Sequence, residues 1–337
     1  MGRNRTTNRP WSRATLAVAA AVTVLLAPAT AGATPTTPDE AARLVAEAGK
    51  QVATLDEQVH EAQLTVAGYQ QSAAAAAAAA AQADAVLAGY APQLAAIAQT
   101  AGTSQSRMAA FLTSKSAADV VQQMTTLDLI AAHTEGLLAE VSVAQRAAEQ
   151  ARADADAAAA QANAGLAELE RQRAEVQARQ RQYESDYASL SAAAQAAVRT
   201  SIAGPVLAAP DTDAVVAAAP SGDVAAVLAA ALAQVGTPYE WGGSAPGGFD
   251  CSGLTSFAYA AAGVSLPHSS RVQSRMGVAV SRSELMPGDL LFFGDPVIYH
   301  VGIYVGGGKM VHARTFGVPV SVTSVDIGDY VGARRVL

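Results

Sequence analysis

Residues 236–263 read GTPYEWGGSAPGGFDCSGLTSFAYAAAG, and this stretch determines how the C-terminal part of the chain folds. Its glycine-rich first half predicts a loop, and the apolar run that opens at Cys251 and ends near Gly263 predicts a helix. A helical pattern, VAAVLAAALAQVG, precedes it at 224–236. Short β-rich runs follow it, namely DLLFFG, HVGIYV, KMVHA, VSVTSV and YVGARRVL. Helices followed by strands predict an α+β domain over residues 222–337.

Cys251 is the only cysteine among the 337 residues, which excludes an intrachain disulfide. A thiol at the start of a helix faces unpaired backbone N–H groups and the positive end of the helix dipole, which lower its pKa and favour the nucleophilic thiolate. Such a nucleophile needs a nearby imidazole and a polar group that orients the ring. His300 and His312 lie on consecutive predicted strands across a glycine turn, so the sequence predicts a catalytic triad of Cys251, His300 and His312.

Other interpretations of these residues are weaker. A lone cysteine is ordinarily a small buried apolar residue, but the glycine-rich loop before Cys251 predicts an exposed helix start. Zinc ligation by Cys251, His300 and His312 lacks the closely spaced ligand pair that is typical of zinc sites, so we expect neither a metal nor a cofactor. We expect His268 in a surface loop rather than against a substrate. Two aromatic residues near the cleft can either stack on substrate or pack the loop: Trp241 and Phe249.

Five motifs in the C-terminal unit carry a family resemblance. They are PYEWGG, FDCSGL, LPHSS, PGDLLFF and HVGIYVGGGKMVHA, in this order. Together they resemble the NlpC family of cell-wall cysteine peptidases, papain-like α+β domains that cleave peptidoglycan stem peptides. The resemblance covers about residues 222–337.

The resemblance also implies roles for individual residues. It assigns a Cys-His-polar triad to Cys251, His300 and His312, with the third position the most variable. It further implies that Tyr239 lines the active site. The two residues beside the nucleophile are implied to bind the free amine end of the substrate peptide: Asp250 and Ser252.

The first two thirds of the chain have a different composition. Hydrophobic residues make up 51% of the chain, yet only 5% is aromatic and 15% charged, because alanine dominates. Apolar residues recur at alternating spacings of three and four from Leu44 to Ile97 and again from Val141 to Ala194, which predicts two heptad helices. We therefore expect an antiparallel coiled-coil hairpin over 38–200, with a bulkier helical lobe at about 103–135. His60 and His133 are expected to be solvated or capping residues on this hairpin.

The remaining segments are expected to be a signal and a linker. Residues 1–33 combine four arginines, an apolar run and the small residues Ala31-Gly32-Ala33, which predicts a cleaved secretory signal peptide. Residues 201–221 are rich in proline and alanine and lack periodicity, which predicts a flexible linker. We therefore expect a secreted protein in the cell wall or on the extracytoplasmic side of the membrane.

The sequence is compatible with three functions. The first is a peptidoglycan endopeptidase that hydrolyses a stem-peptide amide, expected between D-glutamate and the diamino acid, in cell-wall remodelling and daughter-cell separation. The second is a division-site scaffold or wall-binding protein whose coiled coil is the functional part. The third is an acyltransferase or amidase with a substrate outside the wall, which an export signal disfavours. A net charge of −7 argues against a nucleic-acid partner.

The order of domains also suggests regulation. It is similar to that of secreted peptidases in which a helical hairpin precedes the catalytic domain. That similarity implies that the hairpin can dock on a division complex of the FtsEX type and can cover the catalytic cleft. We therefore expect the coiled coil to restrain the enzyme, and a membrane partner that binds the lobe to relieve this restraint.

Overall fold

A computed structural model describes residues 37–102, 116–294 and 297–337 of the chain. The expected signal peptide lies outside these residues, and so does the 103–115 part of the expected lobe. Within the described ranges, no helix is both long enough and apolar enough to cross a membrane.

Long helices form the N-terminal part of the structure. Helix α1 spans Pro38–Ala88, and Thr37 caps it by accepting a hydrogen bond from the backbone N–H of Glu40. The chain turns at residues 89–90 and continues as α2, Ala91–Gly102. Helix α3 returns over Ala117–Ser189. Two contacts between α1 and α3 show that the helices run antiparallel: Asp84 with Arg152, and Asp56 with Gln180.

The described part of the expected lobe continues a long helix. Residues 117–135 belong to α3, and several large apolar side chains there are exposed. These exposed side chains are Val121, Met124, Leu129 and Ile130. Phe111, which we expect to belong to the same surface, lies outside the described residues.

The segment expected to be a flexible linker is partly folded. Helix α4 spans Ala192–Ala203, with Ile202 buried. Beyond it, the backbone N–H of Leu207 donates to the carbonyl of Val322 at 2.9 Å, and a short helix α5 spans Thr212–Ala217. The proline-based expectation fails here because backbone pairing and buried apolar side chains hold the segment against the C-terminal domain.

The C-terminal domain is an α+β unit with one main sheet. Its helices are α6 (Gly222–Leu232), α7 (Cys251–Ala260) and α8 (Ser270–Gln273), with a 3₁₀ turn at Arg282–Glu284. A small hairpin consists of β1 (Ser244–Ala245) and β2 (Gly248–Phe249). The main strands are β3 (Val278–Val280), β4 (Leu290–Gly294), β5 (Ile298–Gly306), β6 (Lys309–His312), β7 (Ser321–Ser324) and β8 (Tyr330–Arg335).

The main sheet is antiparallel and has the order β3-β8-β4-β5-β6-β7. Helices α6 and α7 pack on one face of it, in a core that includes Leu228, Leu254 and Val301. The predicted fold class, a papain-like α+β domain after a long helical region, is confirmed.

The base of the helical region packs directly on the C-terminal domain. Tyr183 and Tyr187 of α3 make edge-on ring contacts with Phe316, and Tyr183 also contacts Trp241. The Arg314 guanidinium donates to the carbonyl of Ile202 at 3.0 Å. Residues of α1 between Ala42 and Val52 share an apolar cluster with these two tyrosines, so α1 lies beside the loops that carry the candidate site.

Candidate active site

Cys251 is the first residue of α7, as the sequence predicts. The Asp250 side chain caps this helix by accepting a hydrogen bond from the backbone N–H of Gly253 at 2.7 Å. Gly253 has to be glycine, because a Cβ atom there would collide with the backbone carbonyl of Gly243. The glycine-rich loop and the helix start thus fit closely together and fix the position of the thiol.

His300 and His312 lie side by side on neighbouring strands. His300 of β5 and His312 of β6 share a hydrogen bond of 2.9 Å between Nε2 and Nδ1. The chain of contacts extends to β7, where Thr323 Oγ1 lies 3.1 Å from His312 Nε2. His300 Nδ1 is buried and has no hydrogen-bond partner among the described residues. This nitrogen remains free to act on a thiol.

The thiol lies against the same strand. Hydrogen bonding by the backbone of Val301, the residue after His300, acts to lower the pKa of the Cys251 thiol. The structure therefore brings the three predicted triad members onto one helix start and two adjacent strands.

The ionisation of this group differs from the prediction. Cys251 is only 6% exposed. Its burial, followed by the negative charges of Glu57 and Asp250, raises the pKa of the thiol well above its ordinary value. The expected exposed thiol with a lowered pKa is therefore wrong for this structure, because a helix dipole does not outweigh burial beside two carboxylates.

Both histidines are held in the neutral form. Burial, with the charges of Arg314 and His312, lowers the pKa of His300 well below its ordinary value. Burial, with Arg314, lowers the pKa of His312 to about 3. The lowered pKa values of the two histidines and the raised pKa of Cys251 favour a neutral imidazole and a protonated thiol over an ion pair.

A carboxylate from α1 occupies the space in front of the thiol. Glu57 is 2% exposed, and its Oε1 lies 3.7 Å from Cys251 Sγ and 3.1 Å from the Ser252 hydroxyl that donates to it. Its other oxygen, Oε2, accepts hydrogen bonds from the Ser269 hydroxyl at 3.1 Å and the Ser270 backbone N–H at 2.7 Å. One glutamate of the helical arm thus bridges the nucleophile loop and the LPHSS loop.

A cluster of imidazoles and carboxylates continues from this glutamate. His268 Nε2 lies 2.7 Å from Asp250 Oδ2, and the His60 and His268 rings are 4.3 Å apart. His60 Nε2 lies 3.8 Å from Asp250 Oδ2 and 3.9 Å from Asp56 Oδ2. Asp56 and His60 come from α1, whereas Asp250 and His268 come from the C-terminal domain.

Burial and the charge of Asp250 shift the pKa in opposite directions at the two histidines of this cluster and in the same direction at Asp56. Burial lowers the pKa of His60 despite the charge of Asp250. For His268, burial is outweighed by the hydrogen bond and charge of Asp250, so its pKa is raised. Burial and the charges of Asp250 and Glu57 raise the pKa of Asp56 well above its ordinary value.

Several expected positions need correction or completion. His60 is 4% exposed rather than solvated, because α1 packs into the cleft. His268 contacts Asp250 instead of lying free in a surface loop. Phe249 is fully buried in the core, so it packs the loop. Trp241 packs edge-on against Tyr239 at 5.0 Å.

The three residues implied to bind substrate lie close to the thiol. Tyr239 is buried, and its pKa is raised well above the ordinary value by burial and by the charges of Asp250 and Cys251. Asp250 and Ser252 flank Cys251, and each is engaged by a partner: His268 for Asp250 and Glu57 for Ser252.

Sequence reasoning missed the residues that α1 contributes. The motif LDEQVHE at 55–61 carries four ionisable residues within an arm otherwise rich in alanine, and Asp56 and His60 lie one helical turn apart. This local polarity on a heptad helix is the signal that was available. Nothing in the sequence, however, says which surface such a patch contacts. Thr323, within VSVTSV, carried no signal of its own.

Comparison with known proteins agrees with this geometry. Residues 236–333 match the model of the NlpC/P60 family. A probable endopeptidase of Mycobacterium tuberculosis is 54% identical over 116 residues, which are 34% of this chain and 30% of that protein. A probable endopeptidase of Corynebacterium glutamicum is 42% identical over 110 residues, which are 33% of this chain and 52% of that protein. The match thus spans about a third to a half of the length of these relatives.

The solved structures that match this chain include two peptidoglycan hydrolases. The NlpC/p60 domain of the peptidoglycan hydrolase SagA is 41% identical, with 33% of this chain and 97% of that chain covered and a TM-score of 0.32. The peptidoglycan hydrolase RipB of Mycobacterium tuberculosis is 31% identical, with 40% of this chain and 75% of that chain covered and a TM-score of 0.33.

The family model and the sequence identities to the endopeptidases confirm the motif resemblance for the C-terminal domain. Residues 236–333 carry the family's sequence pattern, and they contain the helix start with Cys251 and the strands with His300 and His312. This part of the chain is an NlpC/P60 domain.

Proposed function

We propose that this protein is a secreted peptidoglycan endopeptidase that uses Cys251 to hydrolyse an amide of the stem peptide. The observation that carries this proposal is the array of Cys251 at a helix start with His300, His312 and Thr323 on three adjacent strands. The endopeptidase names of the relatives support the same reaction class. The bond between D-glutamate and the diamino acid is the proposed target.

The chemistry follows from the free nitrogen of His300. His300 Nδ1 removes the thiol proton, and the Cys251 sulfur attacks the carbonyl carbon of the scissile amide. The backbone N–H groups at the start of α7 stabilise the negative oxygen that forms. The imidazolium then gives its proton to the departing amine, and the C–N bond breaks to leave a thioester.

Water completes the cycle. It attacks the thioester while His300 accepts one of its protons, and the product acid leaves as the C–S bond breaks. His312 holds the His300 ring through the 2.9 Å hydrogen bond, and Thr323 holds His312 in turn. These two residues therefore orient the base and do not touch the substrate.

Substrate recognition uses the same loop. The Asp250 carboxylate is placed one residue before the nucleophile, where it attracts a free peptide amine. Ser252 and Tyr239 complete this subsite, in line with the family resemblance. In this structure Asp250 contacts His268 and Ser252 contacts Glu57, so a substrate has to displace both partners.

We further propose that α1 restrains the enzyme. Glu57 makes contacts with Ser252, Ser269 and the backbone of Ser270, in front of the thiol. It also contributes to the raised pKa of Cys251, so it hinders both access and ionisation. Arg271 and Arg275, both paired with Glu61 of the same helix, add to the clamp.

We propose that a membrane partner, a division complex of the FtsEX type, releases this clamp. The apolar side chains of Val121, Met124, Leu129 and Ile130 near the start of α3 are exposed, which suits a docking surface for such a partner. Replacing Met124 and Leu129 with aspartate should abolish localisation to division sites. Unchanged localisation of this double variant would leave the hairpin as a scaffold without this docking role.

The reaction itself is tested by mass spectrometry of muropeptides. The chain without residues 1–33 is incubated with purified muropeptides as the Glu57→Gln variant, which frees the thiol, and as the same variant with Cys251→Ala. The first should yield products cleaved between D-glutamate and the diamino acid, and the second should yield none. Cleavage by the Cys251→Ala chain within tenfold of its parent would rule out the cysteine mechanism.

A further inference from the structure

The cluster between α1 and the C-terminal domain has the composition of a metal site. One ring nitrogen of His60, one ring nitrogen of His268 and a carboxylate oxygen of Asp250 lie within 4.8 Å of one another. A tetrahedral zinc ion with bonds of about 2.0–2.1 Å holds its ligand atoms roughly 3.4 Å apart. The distances of 3.8 Å from His60 and 2.7 Å from His268 to Asp250 Oδ2 bracket that spacing.

We propose that His60, Asp250 and His268 bind a zinc ion that fastens α1 to the catalytic cleft. Asp56, whose Oδ2 lies 3.9 Å from His60 Nε2, is a neighbour of the site and not one of these three ligands. This inference rests on the proposed function, because it names a ligand that stabilises the restrained state. It also departs from the expectation that the protein holds no metal, because one of the three ligands, His60, comes from the helical arm.

The charge of the cluster favours a cation. Three buried carboxylates, Asp56, Glu57 and Asp250, crowd one interface. Among the described residues, the ion pairs of Asp56 and Asp250 are with histidines and not with lysine or arginine. Buried carboxylates without a permanent cation are costly, and a divalent ion removes that cost.

The ligand types select among metals. Two imidazole nitrogens with carboxylate oxygens suit zinc, whereas calcium and magnesium prefer oxygen ligands alone. The Gly253 N–H orients the Asp250 carboxylate by donating to its Oδ1 at 2.7 Å. Oδ2 lies near Nε2 of both His60 and His268, and His268 Nε2 is also 2.8 Å from Oδ1. The His268 side chain is 28% exposed, which gives an ion a path from solvent.

The site has a consequence for activity. Asp250 is the proposed anchor for the substrate amine, so a zinc ion on its carboxylate competes with substrate at that position. Because the ligands come from both α1 and the C-terminal domain, zinc binding requires the two to be together. Zinc therefore favours the closed arrangement, and opening of the arm breaks the site.

Calorimetry on the full chain without residues 1–33 tests this inference. The chelator-treated protein is titrated with zinc chloride, and one ion per chain is expected. His60→Ala and His268→Gln should each weaken binding at least tenfold. His133→Ala, an exposed histidine elsewhere on the hairpin, is the matched control and should bind as the wild type does.

The Cys251→Ala variant tests whether zinc binds at the proposed histidine–aspartate site or at the Cys251 thiolate. It should keep full zinc affinity, and loss of binding in this variant would overturn the assignment. Absence of a stoichiometric ion in the wild type would also overturn it, as would equal affinity of the wild type and both histidine variants. Circular dichroism checks that the variants fold.

Muropeptide cleavage distinguishes this inference from the proposed function. Zinc should slow the wild type but leave the rate of His60→Ala unchanged, and a chelator should speed the wild type. Cleavage without zinc binding would overturn the metal site and leave the endopeptidase intact. Zinc binding together with no cleavage by the chelator-treated protein, even in the Glu57→Gln variant, would support the site and remove the proposed function.

Discussion

The two halves of α1 differ sharply, although both belong to one continuous helix. From Ala42 to Val66, the helix buries eleven side chains or glycine positions, whereas beyond Val66 only Ala80 is buried. The first half contacts both α3 and the C-terminal domain, as Asp56 and Glu57 do, whereas the second half contacts α3, as Asp84 does. An alanine-rich helix pair buries little apolar surface and is weakly held. The comparison teaches that α1 is anchored at its base, by the residues that also enter the cleft.

The largest expected effect concerns His300, the general base of the proposed mechanism, which lies inside the cleft that the first half of α1 covers. In the Glu57→Gln background, His300→Ala should lower the muropeptide cleavage rate by about 10²–10⁴-fold, because general acid–base catalysis typically contributes that much. His312→Gln should lose less, since its amide can still hold the His300 ring. Equal losses in both variants would give His312 a direct role in place of an orienting one.

The next effect tests whether the first half of α1 restrains the enzyme. Glu57→Gln should raise the cleavage rate of the full chain roughly tenfold, because a hydrogen bond to a charged group contributes about 1.5–3 kcal/mol and about 1.4 kcal/mol corresponds to a factor of ten. Glu168→Gln, an exposed glutamate on α3, is the matched control and should leave the rate unchanged. A rate for Glu57→Gln equal to that of the control would reduce the arm to a localising element.

The pH dependence of Cys251 alkylation measures the effect of Glu57 on the thiol without any substrate. Burial and then the charges of Glu57 and Asp250 raise the pKa of Cys251. Since only the thiolate is alkylated rapidly, Glu57→Gln should shift the pH profile of iodoacetamide alkylation to lower pH. The rate at neutral pH should therefore rise. A profile that does not move, or that moves to higher pH, would contradict the electrostatic role of Glu57.

The smallest expected effect compares the packing of the two halves. Val59 is 5% exposed and Val86 is 54% exposed. Val59→Ala should lower the free energy of unfolding by about 1–2 kcal/mol, because it removes buried methyl groups. Val86→Ala should change it by less than about 0.5 kcal/mol. Urea denaturation followed by circular dichroism measures both, and similar losses would remove the distinction between the halves.

Much of the fold was predictable because its signals are local. The heptad spacing of small apolar residues indicated two long helices, and the glycine-rich loop before Cys251 indicated a helix start. Both patterns depend on residues close together in the chain. The folded linker was not predictable, because the pairing of Leu207 with Val322 joins segments far apart in sequence.

The sequence by itself determined the family of the C-terminal domain, its α+β class and the identities of the residues that carry the proposed chemistry, since motif spacing and residue type are enough for these. Only the tertiary structure decided the environment of those residues. Glu57, Asp56 and His60 lie nearly two hundred residues before Cys251, yet they meet the nucleophile loop across a packed interface. A long helix presents every face to solvent until something packs on it. Which face enters the cleft, and hence the ionisation of the thiol, depends on burial and charge that exist only once the arm and the domain are together.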